Sequence, residues 1–468
     1  MQLIKALRYR WPASIAFVGA GGKTTALFKV GQELLARQED LKPNKTILLT
    51  TTTHLGAWQT RGADHWQIIN TPEDILYFRQ DLPKGIILLT GDQAGDRLNG
   101  LQMELMDGVQ QLARECDLPL LIEADGAHMV PLKAPAEDEP VIPQFVDIVV
   151  VVAGLKGLGR PLVDAWVHRS KLFGELAGIY NGDVVTIQAL ARVFLSERGG
   201  LKNIPDHARR IALLNQADNK ELQSQAHILA KQIIASYDSV ITSALNPQHP
   251  SNDYQGIESS GTESGIYSVL ENTAGIILAA GGSSRFGQPK QLLPWKGQPL
   301  IRHVAQAAIR AGLQPVVVVL GSFADEIMPA IKDMPLRIVV NIDWAMGMSS
   351  SIKTGLHALP KNTGAALFLQ ADQPQITSKL IESLVETHQS SLYPIIAPQI
   401  HGQRGNPVIF DVSTFPELLM LEGDVGGRAL FQRYPPHFFK WDGENLLLDI
   451  DTPDDYQKLL LINMENET

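Results

Sequence analysis

Two segments, each predicted to form a strand, a glycine-rich loop and then a helix, constrain the fold of this chain most strongly. The first lies at residues 15–25, IAFVGAGGKTT, and the second at residues 274–290, AGIILAAGGSSRFGQPK. This order of elements is typical of the N-terminal part of an α/β domain that binds phosphate groups. A chain of 468 residues is also too long for one ordinary core. The sequence therefore predicts two α/β domains.

Apolar runs of strand length alternate with helical patterns in both halves of the chain. This alternation indicates mostly parallel sheets with helices on both faces, so the predicted fold class is α/β with two three-layer domains. The predicted strands lie at residues 14–20, 46–52, 85–91, 118–125, 147–154, 210–218, 274–281, 315–321, 336–341, 365–372 and 393–399. The predicted helices lie at residues 24–37, 72–80, 101–115, 298–312 and 349–359.

A polar stretch rich in Ser, Gly and Asn separates the two series of elements. It covers residues 247–273 and shows no sustained periodicity, which is typical of a flexible linker. The predicted domains are therefore residues 1–246 and 274–468.

Composition excludes several classes of protein. Hydrophobic residues make up 44% of the chain and charged residues 19%, as in globular α/β proteins. The net charge is −10 and the basic residues are scattered, so we expect no nucleic-acid partner. The single cysteine, Cys116, excludes a disulfide framework and favours core filling. Without a signal-like start or an apolar run of about 20 residues, we expect a cytoplasmic protein with no membrane partner.

The first loop has the features of a P-loop. Gly21 and Gly22 would allow backbone N–H groups to approach the phosphates of a nucleotide, and Thr25 belongs to the same predicted nucleotide-binding set. Lys23 would reach the β- and γ-phosphates, and Thr24 would ligate Mg²⁺. Phe17 stands where the motif G-x-x-x-x-G-K-[ST] begins with glycine, so the loop is a variant. A purely structural strand-to-helix turn is the alternative.

Acidic residues end a later strand of the first domain. Asp125 is the first choice for the carboxylate on the metal side of the loop, and Glu123 is the second. Either could instead be a turn residue at the end of the strand. His54 could orient a water or sense the γ-phosphate, or it could be a helix cap or a core residue.

The stretch LLNQAD at residues 213–218 resembles the N-K-x-D element with which GTPases read guanine. Asn215 and Asp218 would contact the base, but Gln216 replaces the lysine whose stem packs on it. The first site could therefore bind GTP, while an ordinary turn after a strand is the alternative. ATP is the other candidate nucleotide.

Residues 10–245 resemble the selenium-dependent hydroxylase accessory proteins, P-loop proteins found beside molybdenum hydroxylases. The resemblance rests on GAGGKTT (19–25), TTTH (51–54), IEADGAHMVPLKAPAEDEPVIP (122–143) and HR (168–169). It implies nucleotide binding, hydrolysis of the nucleotide and a role in maturing molybdenum enzymes. A transient contact with a molybdenum hydroxylase or its chaperone would follow. A regulatory binding module is the alternative.

The second loop suits nucleotidyl transfer. Gly281, Gly282 and Gly287 let the backbone approach phosphates, and Arg285 and Lys290 bring two positive charges to the triphosphate. Attack at the α-phosphorus expels pyrophosphate, whose charge such side chains would stabilise.

Carboxylates that could hold Mg²⁺ lie at two later strand ends. Asp372 follows the strand LFLQ, and Asp449 and Asp451 flank the end of LLLDID. Asp454 and Asp455 are predicted to cap the following helix, because T-P-D-D is a helix-start signal. The predicted catalytic residues are Arg285, Lys290 and Asp372.

Residues 274–462 resemble the molybdenum cofactor cytidylyltransferases, within the larger family of molybdopterin nucleotidyltransferases and nucleotide-sugar pyrophosphorylases. The resemblance rests on LAAGGSSRFGQPK (278–290), GMSSSIKTGL (347–356), QADQP (370–374), GQRGNPVIF (402–410), LEGDVGGRAL (421–430) and DIDTPDD (449–455). It implies a Rossmann-like fold in which Asp372 binds Mg²⁺. The residues that it assigns to nucleotide binding are Ala280, Gly281, Gly282, Arg285 and Lys290. Ser349 and Ser350, in NIDWAMGMSSS (341–351), would hold the nucleotide or the cofactor phosphate, or would only form a helix start. The stretches RGNP (404–407), with Asn406, and GDVGGR (423–428), with Arg428 as a phosphate contact, would line the pterin side of the cofactor substrate.

Together these features predict a P-loop accessory domain fused to a cytidylyltransferase. The reaction would join CTP and molybdenum cofactor, giving the cytosine dinucleotide form and diphosphate. LAAG rather than LAGG favours CTP by resemblance. Three alternatives remain: a guanylyltransferase, a sugar-nucleotide pyrophosphorylase and a cofactor chaperone without chemistry.

Overall fold

The chain forms two compact units. The computed structural model describes residues 1–37, 46–245, 265–282 and 286–465. The first unit is Met1–Leu270 and the second is Glu271–Thr468.

The first unit is built on a nine-stranded sheet. Its strands are β1 (Ser14–Gly19), β2 (Thr46–Thr51), β3 (His65–Ile68), β4 (Gly85–Thr90), β5 (Leu120–Glu123), β6 (Ile148–Gly154), β7 (Arg209–Asn215), β8 (Ser239–Ala244) and β9 (Gly265–Leu270). They lie in the order β9-β8-β7-β6-β1-β5-β2-β4-β3. Every neighbouring pair is parallel except β8 and β9, so the prediction of a mostly parallel sheet is confirmed.

Helices cover both faces of this sheet. They are α1 (Leu3–Ala6), α2 (Lys23–Ala36), α3 (Pro72–Gln80), α4 (Met103–Glu115), α5 (Ser170–Ala177), α6 (Ile187–Leu195) and α7 (Lys220–Ile233). Short strands lie at Leu55–Gly56, Gln93–Ala94, Arg97–Leu98, Leu132–Lys133 and Val167–His168. Successive strand residues point to opposite faces. Leu48 and Ile87 join the core that contains Met106 and Leu229, while α2 packs closely on Leu49 and Ile86 at Gly31.

The strand order reverses beside β1. From β1 the chain continues to β2, β3, β4 and β5 on one side, and then places β6, β7, β8 and β9 on the other. In open α/β sheets, the crevice at the carboxyl ends of the strands next to such a reversal is the usual place for a ligand. The loop between β1 and α2 lies there.

The second unit contains an eight-stranded sheet of mixed direction. Its strands are β10 (Asn272–Ala279), β11 (Val316–Leu320), β12 (Arg337–Val340), β13 (Thr363–Gln370), β14 (Ile395–Ile400), β15 (Gln403–Arg404), β16 (Val408–Asp411) and β17 (His437–Lys440). The order is β12-β11-β10-β13-β16-β14-β15, with β17 paired to β14. Strand β16 runs antiparallel to β13 and β14. The order reverses between β10 and β13, because β11 and β12 lie on one side of β10 and β13 on the other.

Helices also cover both faces of the second sheet. They are α8 (Leu300–Arg310), α9 (Ala324–Ile327), α10 (Met348–His357), α11 (Ser378–Ser391), α12 (Phe415–Leu418) and α13 (Pro453–Glu465), beside a short hairpin of Pro294–Trp295 and Gln298–Pro299. Ile277 packs with α8 and α11 on one face. Ile276 packs with α10 and α12 on the other. The predicted three-layer arrangement is therefore present in this unit as well.

The structure differs from the sequence-based expectation at the end of the predicted linker. Most of residues 247–273 lie outside the described residues, but Gly265–Leu270 forms strand β9 against β8, and β10 begins at Asn272. The apolar alternation of this short edge strand is weak, which is why composition alone assigned it to the linker.

The start of α13, the single cysteine and the length of the helices bear on three smaller expectations. Asp455 accepts hydrogen bonds from the backbone N–H and the hydroxyl of Thr452 at the start of α13, as predicted for a helix cap. Cys116 is half-buried against the core of the first unit. Within the part of the chain that the structure describes, no helix has both the length and the apolar character needed to cross a bilayer.

The buried hydroxyl of Tyr237 gives a test of the first unit's core. Tyr237 is 2% exposed, and its hydroxyl donates to the carbonyl oxygen of Phe194 at 2.9 Å. Tyr237→Phe should therefore lower the free energy of unfolding by about 1 kcal/mol or slightly more, because it removes a buried hydrogen bond. Hydrogen exchange of peptides from α6 and β8 in denaturant would measure the loss. Tyr180→Phe is the control, since Tyr180 is 83% exposed; equal stability of the two variants would contradict the prediction.

Candidate functional site

In the first unit, the loop after β1 is held tightly between the ends of its neighbours. Gly19 has φ +95°, and a Cβ atom there would lie 2.2 Å from the carbonyl oxygen of Val152. Gly22 has φ +127°, and its Cβ atom would lie 2.3 Å from the Asn215 side-chain nitrogen. Only glycine fits both positions. Helix α2 then begins at Lys23.

Lys23 lies under this loop and is 4% exposed. Its Nζ donates to the carbonyl oxygen of Gly19 at 2.7 Å and lies 3.1 Å from Oδ1 of Asp125. The Asp125 carboxylate also accepts from the backbone N–H of Gly19 at 2.9 Å. The predicted phosphate-binding lysine and the predicted acid are therefore in direct contact, at the carboxyl ends of β1 and β5.

Glu123 contacts the threonine of the loop motif. Thr24 donates from its hydroxyl to Oε2 of Glu123 at 2.7 Å, and Gln59 donates to the same hydroxyl at 3.1 Å. Burial raises the pKa of Glu123, and the nearby Lys23 opposes that effect. A hydroxyl and a carboxylate are oxygen donors that suit Mg²⁺. These contacts favour Glu123 over Asp125 as the metal-side acid, the reverse of the order expected from sequence, and metal binding at either stays a prediction.

Asp125 is instead the first member of a chain of paired charges that begins buried, at Asp125 and Lys133, and ends half-buried, at Glu139 and Arg169. Lys133 lies 2.9 Å from Asp125 and 2.6 Å from Glu139, and it also donates to the carbonyl oxygen of Gly126. Arg169 donates two hydrogen bonds to Glu139, at 2.7 and 2.9 Å. Lys133 and Glu139 lie in the motif at residues 122–143 and Arg169 in the motif HR, but no role was predicted for any of the three. Their presence in motifs that also contain or accompany Asp125 was the sequence feature that could have indicated a role.

Glu139 is strongly stabilised as a carboxylate. Burial would raise the pKa of Glu139, but the hydrogen bonds from Arg169 and Lys133 outweigh that effect and lower it to about 2. The Glu139 charge is therefore present at any pH near neutrality, and it keeps Lys133 in place beside Asp125.

The two residues expected to read a guanine base have different surroundings. Asn215 is 1% exposed; its amide donates to the carbonyl oxygen of Gly21 at 2.9 Å, and its oxygen accepts from the backbone N–H of Leu245 at 2.9 Å. Asp218 pairs with Lys156 at 2.6 Å. Asn215 thus fastens the loop to β7, and guanine recognition stays a prediction.

Two other residues of the predicted first site lie outside this cluster of contacts. Thr25 is the third residue of α2 and is half-buried. His54 is exposed in the connection after β2. A role for either in nucleotide binding stays a prediction.

In the second unit, the glycine-rich loop that follows β10 packs against Ser322 and Trp344. Ala280 is 5% exposed and accepts from the backbone N–H of Ser322 at 3.2 Å. At Gly282, a Cβ atom would lie 3.4 Å from the Trp344 ring. Gly281 lies between them. Arg285, predicted to be catalytic, lies outside the described residues.

Lys290 joins two of the predicted metal-binding carboxylates. Its Nζ lies 2.5 Å from Oδ2 of Asp372 and 2.9 Å from Oδ1 of Asp451. Burial would lower the pKa of Lys290, but the two carboxylates outweigh that effect and raise it. Lys290 is therefore a charged group placed between acids that come from distant parts of the sequence.

Asp449 completes this cluster, but the strand predicted for LLLDID is absent: Glu444–Leu447 forms a short 3-10 turn, and Asp449 and Asp451 lie in the irregular segment between it and α13. Gln373 donates a hydrogen bond to its Oδ1. Burial raises the pKa of Asp449, with Asp372 and Asp451 acting in the same direction. Within the described residues, no three acidic, histidine or cysteine side chains form a ready-made metal site. Mg²⁺ often uses one or two carboxylates together with substrate phosphates, and this donor set fits that mode of binding.

The serines assigned to the cofactor substrate make internal hydrogen bonds. Ser349 donates from its hydroxyl to the carbonyl oxygen of Gly423 at 2.7 Å, and Ser350 donates to that of Gly347 at 2.8 Å. They fix the start of α10 against the loop at residue 423. Binding of a substrate by these hydroxyls stays a prediction.

Asn406 and Arg428 line one cavity of about 340 Å³. The cavity lies on the sheet face covered by α10 and α12, and its walls include Phe368, Phe410 and Phe431. These two predicted substrate residues are far apart in sequence, and the fold brings them together.

Two family profiles match separate parts of this chain. The profile described as "YqeC protein" matches residues 15–171, and the profile described as "MobA-like NTP transferase domain" matches residues 275–438. The first profile spans the Lys23 loop and the acids after β5. The second spans the loop after β10, Lys290 and Asp372.

Three relatives illustrate these similarities. The YqeC protein of Escherichia coli (strain K12) is 31% identical over 219 residues, which are 46% of this chain and 81% of that protein. The nicotine blue oxidoreductase of Paenarthrobacter nicotinovorans is 31% identical over 200 residues, 41% of this chain and 98% of that protein. The molybdenum cofactor cytidylyltransferase of Escherichia coli (strain K12) is 25% identical over 185 residues, 39% of this chain and 92% of that protein.

The different contacts of Asp125 and Glu123 predict different effects on stability. Asp125→Asn removes the charge that compensates two buried lysines, so we expect a loss of about 3 kcal/mol in the free energy of unfolding. Burial disfavours the charged form of Glu123, and Glu123→Gln keeps the size of the side chain. This substitution should therefore lower the free energy of unfolding by less than about 1 kcal/mol. Denaturant unfolding of the two variants at neutral pH measures both values. Equal losses would mean that Asp125 is not the anchor of the buried charges.

The Glu139 and Arg169 pair predicts a pH dependence. The pKa of Glu139 falls from an ordinary value of 4.5 to about 2, so the pair stabilises the fold above pH 4.5 and loses its effect as the pH falls toward 2. Arg169→Gln should lower the free energy of unfolding by about 2 kcal/mol at pH 7, with a smaller difference from wild type below pH 4.5. Arg198→Gln is the control, because Arg198 is exposed. A difference that stays constant down to pH 3 would contradict this assignment.

Proposed function

Because the chain belongs to the YqeC family over residues 15–171 and to the MobA-like NTP transferase family over residues 275–438, we propose that its second unit is a molybdenum cofactor cytidylyltransferase. The reaction is CTP plus molybdenum cofactor, giving molybdopterin cytosine dinucleotide and diphosphate. The observation that carries the proposal is the contact of Lys290 with Asp372, which follows β13, and with Asp451, which lies in the segment before α13.

The transfer forms one bond and breaks one bond. An oxygen of the cofactor's terminal phosphate attacks the α-phosphorus of CTP, and the bond between the α-phosphorus and the bridging oxygen to the β-phosphate breaks. Diphosphate leaves with that electron pair. The attacking phosphate is already anionic near pH 7, so no base is needed, and catalysis rests on position and charge.

The cluster supplies what this reaction needs from the protein. Asp372, Asp449 and Asp451 are the residues that would hold Mg²⁺, which when bound would neutralise charge on the nucleotide phosphates. Lys290 exchanges contacts with Asp372 and Asp451 for contacts with the leaving diphosphate. Arg285, five residues before Lys290 in the sequence, would add a second positive charge.

The choice of CTP rests on two observations. Ala280 adds a methyl group where guanylyltransferases typically have glycine, which favours a smaller base. In addition, the second half of the chain is similar to a relative named as a cytidylyltransferase over 92% of that relative's length. A guanylyltransferase or sugar-nucleotide pyrophosphorylase is the alternative within the same chemistry.

We also propose that the first unit binds GTP or ATP through the loop at Lys23. The enclosure of Lys23 by the ends of β1 and β5 supports this, since phosphates arriving at the loop would compete with Asp125 for the ammonium group. Its role would be accessory to maturation of a molybdenum hydroxylase, by transient contact with that enzyme or its chaperone. The localisation that fits this role is cytoplasmic.

A second candidate for the C-terminal unit is an oxidoreductase. It is favoured by one observation, the 31% identity to nicotine blue oxidoreductase over 98% of that protein. The two candidates differ in product: the transferase releases diphosphate from a nucleoside triphosphate, whereas the oxidoreductase changes the absorbance of a dye such as nicotine blue when a reductant is present.

The test is diphosphate release by the full chain with molybdenum cofactor and Mg²⁺, with CTP, GTP, ATP and UTP in parallel. We expect release with CTP. Asp372→Asn should reduce the rate about a hundredfold or more, because it removes a metal carboxylate. Asp454→Asn is the matched control, since Asp454 lies in the same acidic motif but in the first turn of α13.

Other outcomes separate the alternatives. Release with GTP alone indicates a guanylyltransferase. Release that Asp372→Asn leaves unchanged contradicts the assigned site. The absence of release with every nucleotide favours a cofactor chaperone, or the oxidoreductase if the dye is reduced.

A further inference from the structure

The segment of residues 125–131 in the first unit is attached to the glycine-rich loop after β1 at both of its ends. At its start, the Asp125 carboxylate accepts from the backbone N–H of Gly19 at 2.9 Å. At its end, the carbonyl oxygen of Pro131 lies against Gly21, since a Cβ atom added to that glycine would be 2.8 Å from this oxygen. The segment therefore spans the loop, and its middle lies beside the place where phosphates would bind.

The middle of this segment is a tight turn with an unusual backbone. The backbone N–H of Val130 donates to the carbonyl oxygen of Ala127 at 3.2 Å. The two residues between them have positive φ, +49° at His128 and +61° at Met129. This conformation is uncommon for residues other than glycine, and where it persists it is concentrated at ligand-binding and catalytic sites. His128 is three residues from each end of the segment, so its Cα lies within about 11 Å of both attachments.

A second histidine fixes the ring of His128. The rings of His128 and His168 stack with their centroids 4.4 Å apart and an angle of 19° between their planes. His168 is half-buried and His128 is exposed, so the stack places His128 on its outer side. Within the part of the chain that the structure describes, the ring nitrogens of His128 make no hydrogen bond to the protein. An oriented imidazole is thus available to a further group.

The inner ring of the stack is uncharged near neutral pH. Burial lowers the pKa of His168 to about 4, and the positive charges of Arg169 and Lys133 act in the same direction. Arg169 and Lys133 are both bound to Glu139, in the series of paired charges that reaches the glycine-rich loop. The stack and the loop therefore share one framework of contacts.

We infer that His128 is a catalytic residue of the first unit: it accepts a hydrogen bond from the water that attacks the terminal phosphate of a bound nucleoside triphosphate. His168 is the positioning residue that holds the His128 ring. The inference rests on the proposed binding of GTP or ATP at Lys23. It gives His128 a role for which His54 was one candidate.

Hydrolysis forms one bond and breaks one bond. The oxygen of the water bonds to the γ-phosphorus, the bond from that phosphorus to the oxygen bridging to the β-phosphate breaks, and the nucleoside diphosphate leaves with the electron pair. One proton of the water passes to an oxygen of the new phosphate. A neutral imidazole has one ring nitrogen that accepts a hydrogen bond, and a side chain that orients the attacking water is a recurrent part of phosphoryl transfer to water.

The test separates nucleotide binding from hydrolysis in the full chain. Hydrolysis of GTP and of ATP is measured by release of inorganic phosphate with Mg²⁺ present and molybdenum cofactor absent. Binding is measured by titration with the β,γ-imido analogues of both nucleotides, which are not hydrolysed. His128→Asn should lower kcat at least about tenfold and change the Kd of the analogue less than about twofold, because it removes a contact made in the transition state.

The substitution is chosen to keep the backbone of the turn. Asparagine tolerates positive φ, and if His128→Asn does not fold, His128→Gly replaces it, because glycine adopts the same conformation. His207→Asn is the matched control, since His207 is exposed in the connection before β7. It should leave kcat and Kd unchanged.

Two variants test the stack itself. His168→Phe keeps an aromatic ring beneath His128 and should retain most of the wild-type kcat. His168→Ala removes that ring and should lower kcat severalfold or more without changing the Kd of the analogue. Equal kcat values for these two variants would show that His168 does not position His128.

The remaining outcomes separate this inference from the proposed function. A kcat of His128→Asn equal to that of wild type overturns the inference, and so does a loss that appears in Kd and not in kcat. Hydrolysis that His54→Asn abolishes and His128→Asn leaves intact overturns it in favour of His54. Wild type that binds the analogues without hydrolysing GTP or ATP overturns it while nucleotide binding stands. Wild type that binds neither analogue contradicts the proposed function of the first unit, and the inference fails with it.

Discussion

Buried carboxylates neutralised by lysine hold both candidate sites in place. In the first unit Asp125 is 2% exposed and is compensated by Lys23 and Lys133. In the second unit Asp372 is compensated by Lys290. An uncompensated charge at such positions would cost several kcal/mol, so each lysine stabilises the loop that it belongs to. The same lysines are the groups that arriving phosphates would attract.

The direction of the strands determines where these charges meet. Parallel strands deliver their carboxyl ends to one edge of a sheet, and in each unit the strand order reverses beside the first strand, β1 or β10. The loops that follow β1 and β10 therefore open into a crevice that the neighbouring acids also reach. Asn215 and the glycines of the first loop complete this arrangement by allowing close backbone packing.

Several features could be predicted because they depend on nearby residues. Helix α3 lies at residues 72–80, where the sequence predicted it, since Thr71 and Pro72 are a local start signal. The mostly parallel sheet of the first unit follows from uninterrupted apolar runs. The contact of Lys23 with Asp125 could be expected because the loop before Lys23 and the residue Asp125 both follow strands of one parallel sheet. Strand β9 was missed, because its pairing with β8 depends on the tertiary structure more than on its own pattern.

The sequence by itself determined the two units, their glycine loops, and the acids and lysines available for chemistry, because strand and helix periodicity and loop flexibility are properties of short segments. Tertiary structure decided which of those charges meet. It placed Thr24 against Glu123 rather than Asp125, joined Lys133, Glu139 and Arg169 into one chain, and brought Arg404 and Arg428 to the wall of one cavity. These contacts join residues far apart in the chain, and their geometry depends on strand order and packing that no local pattern encodes.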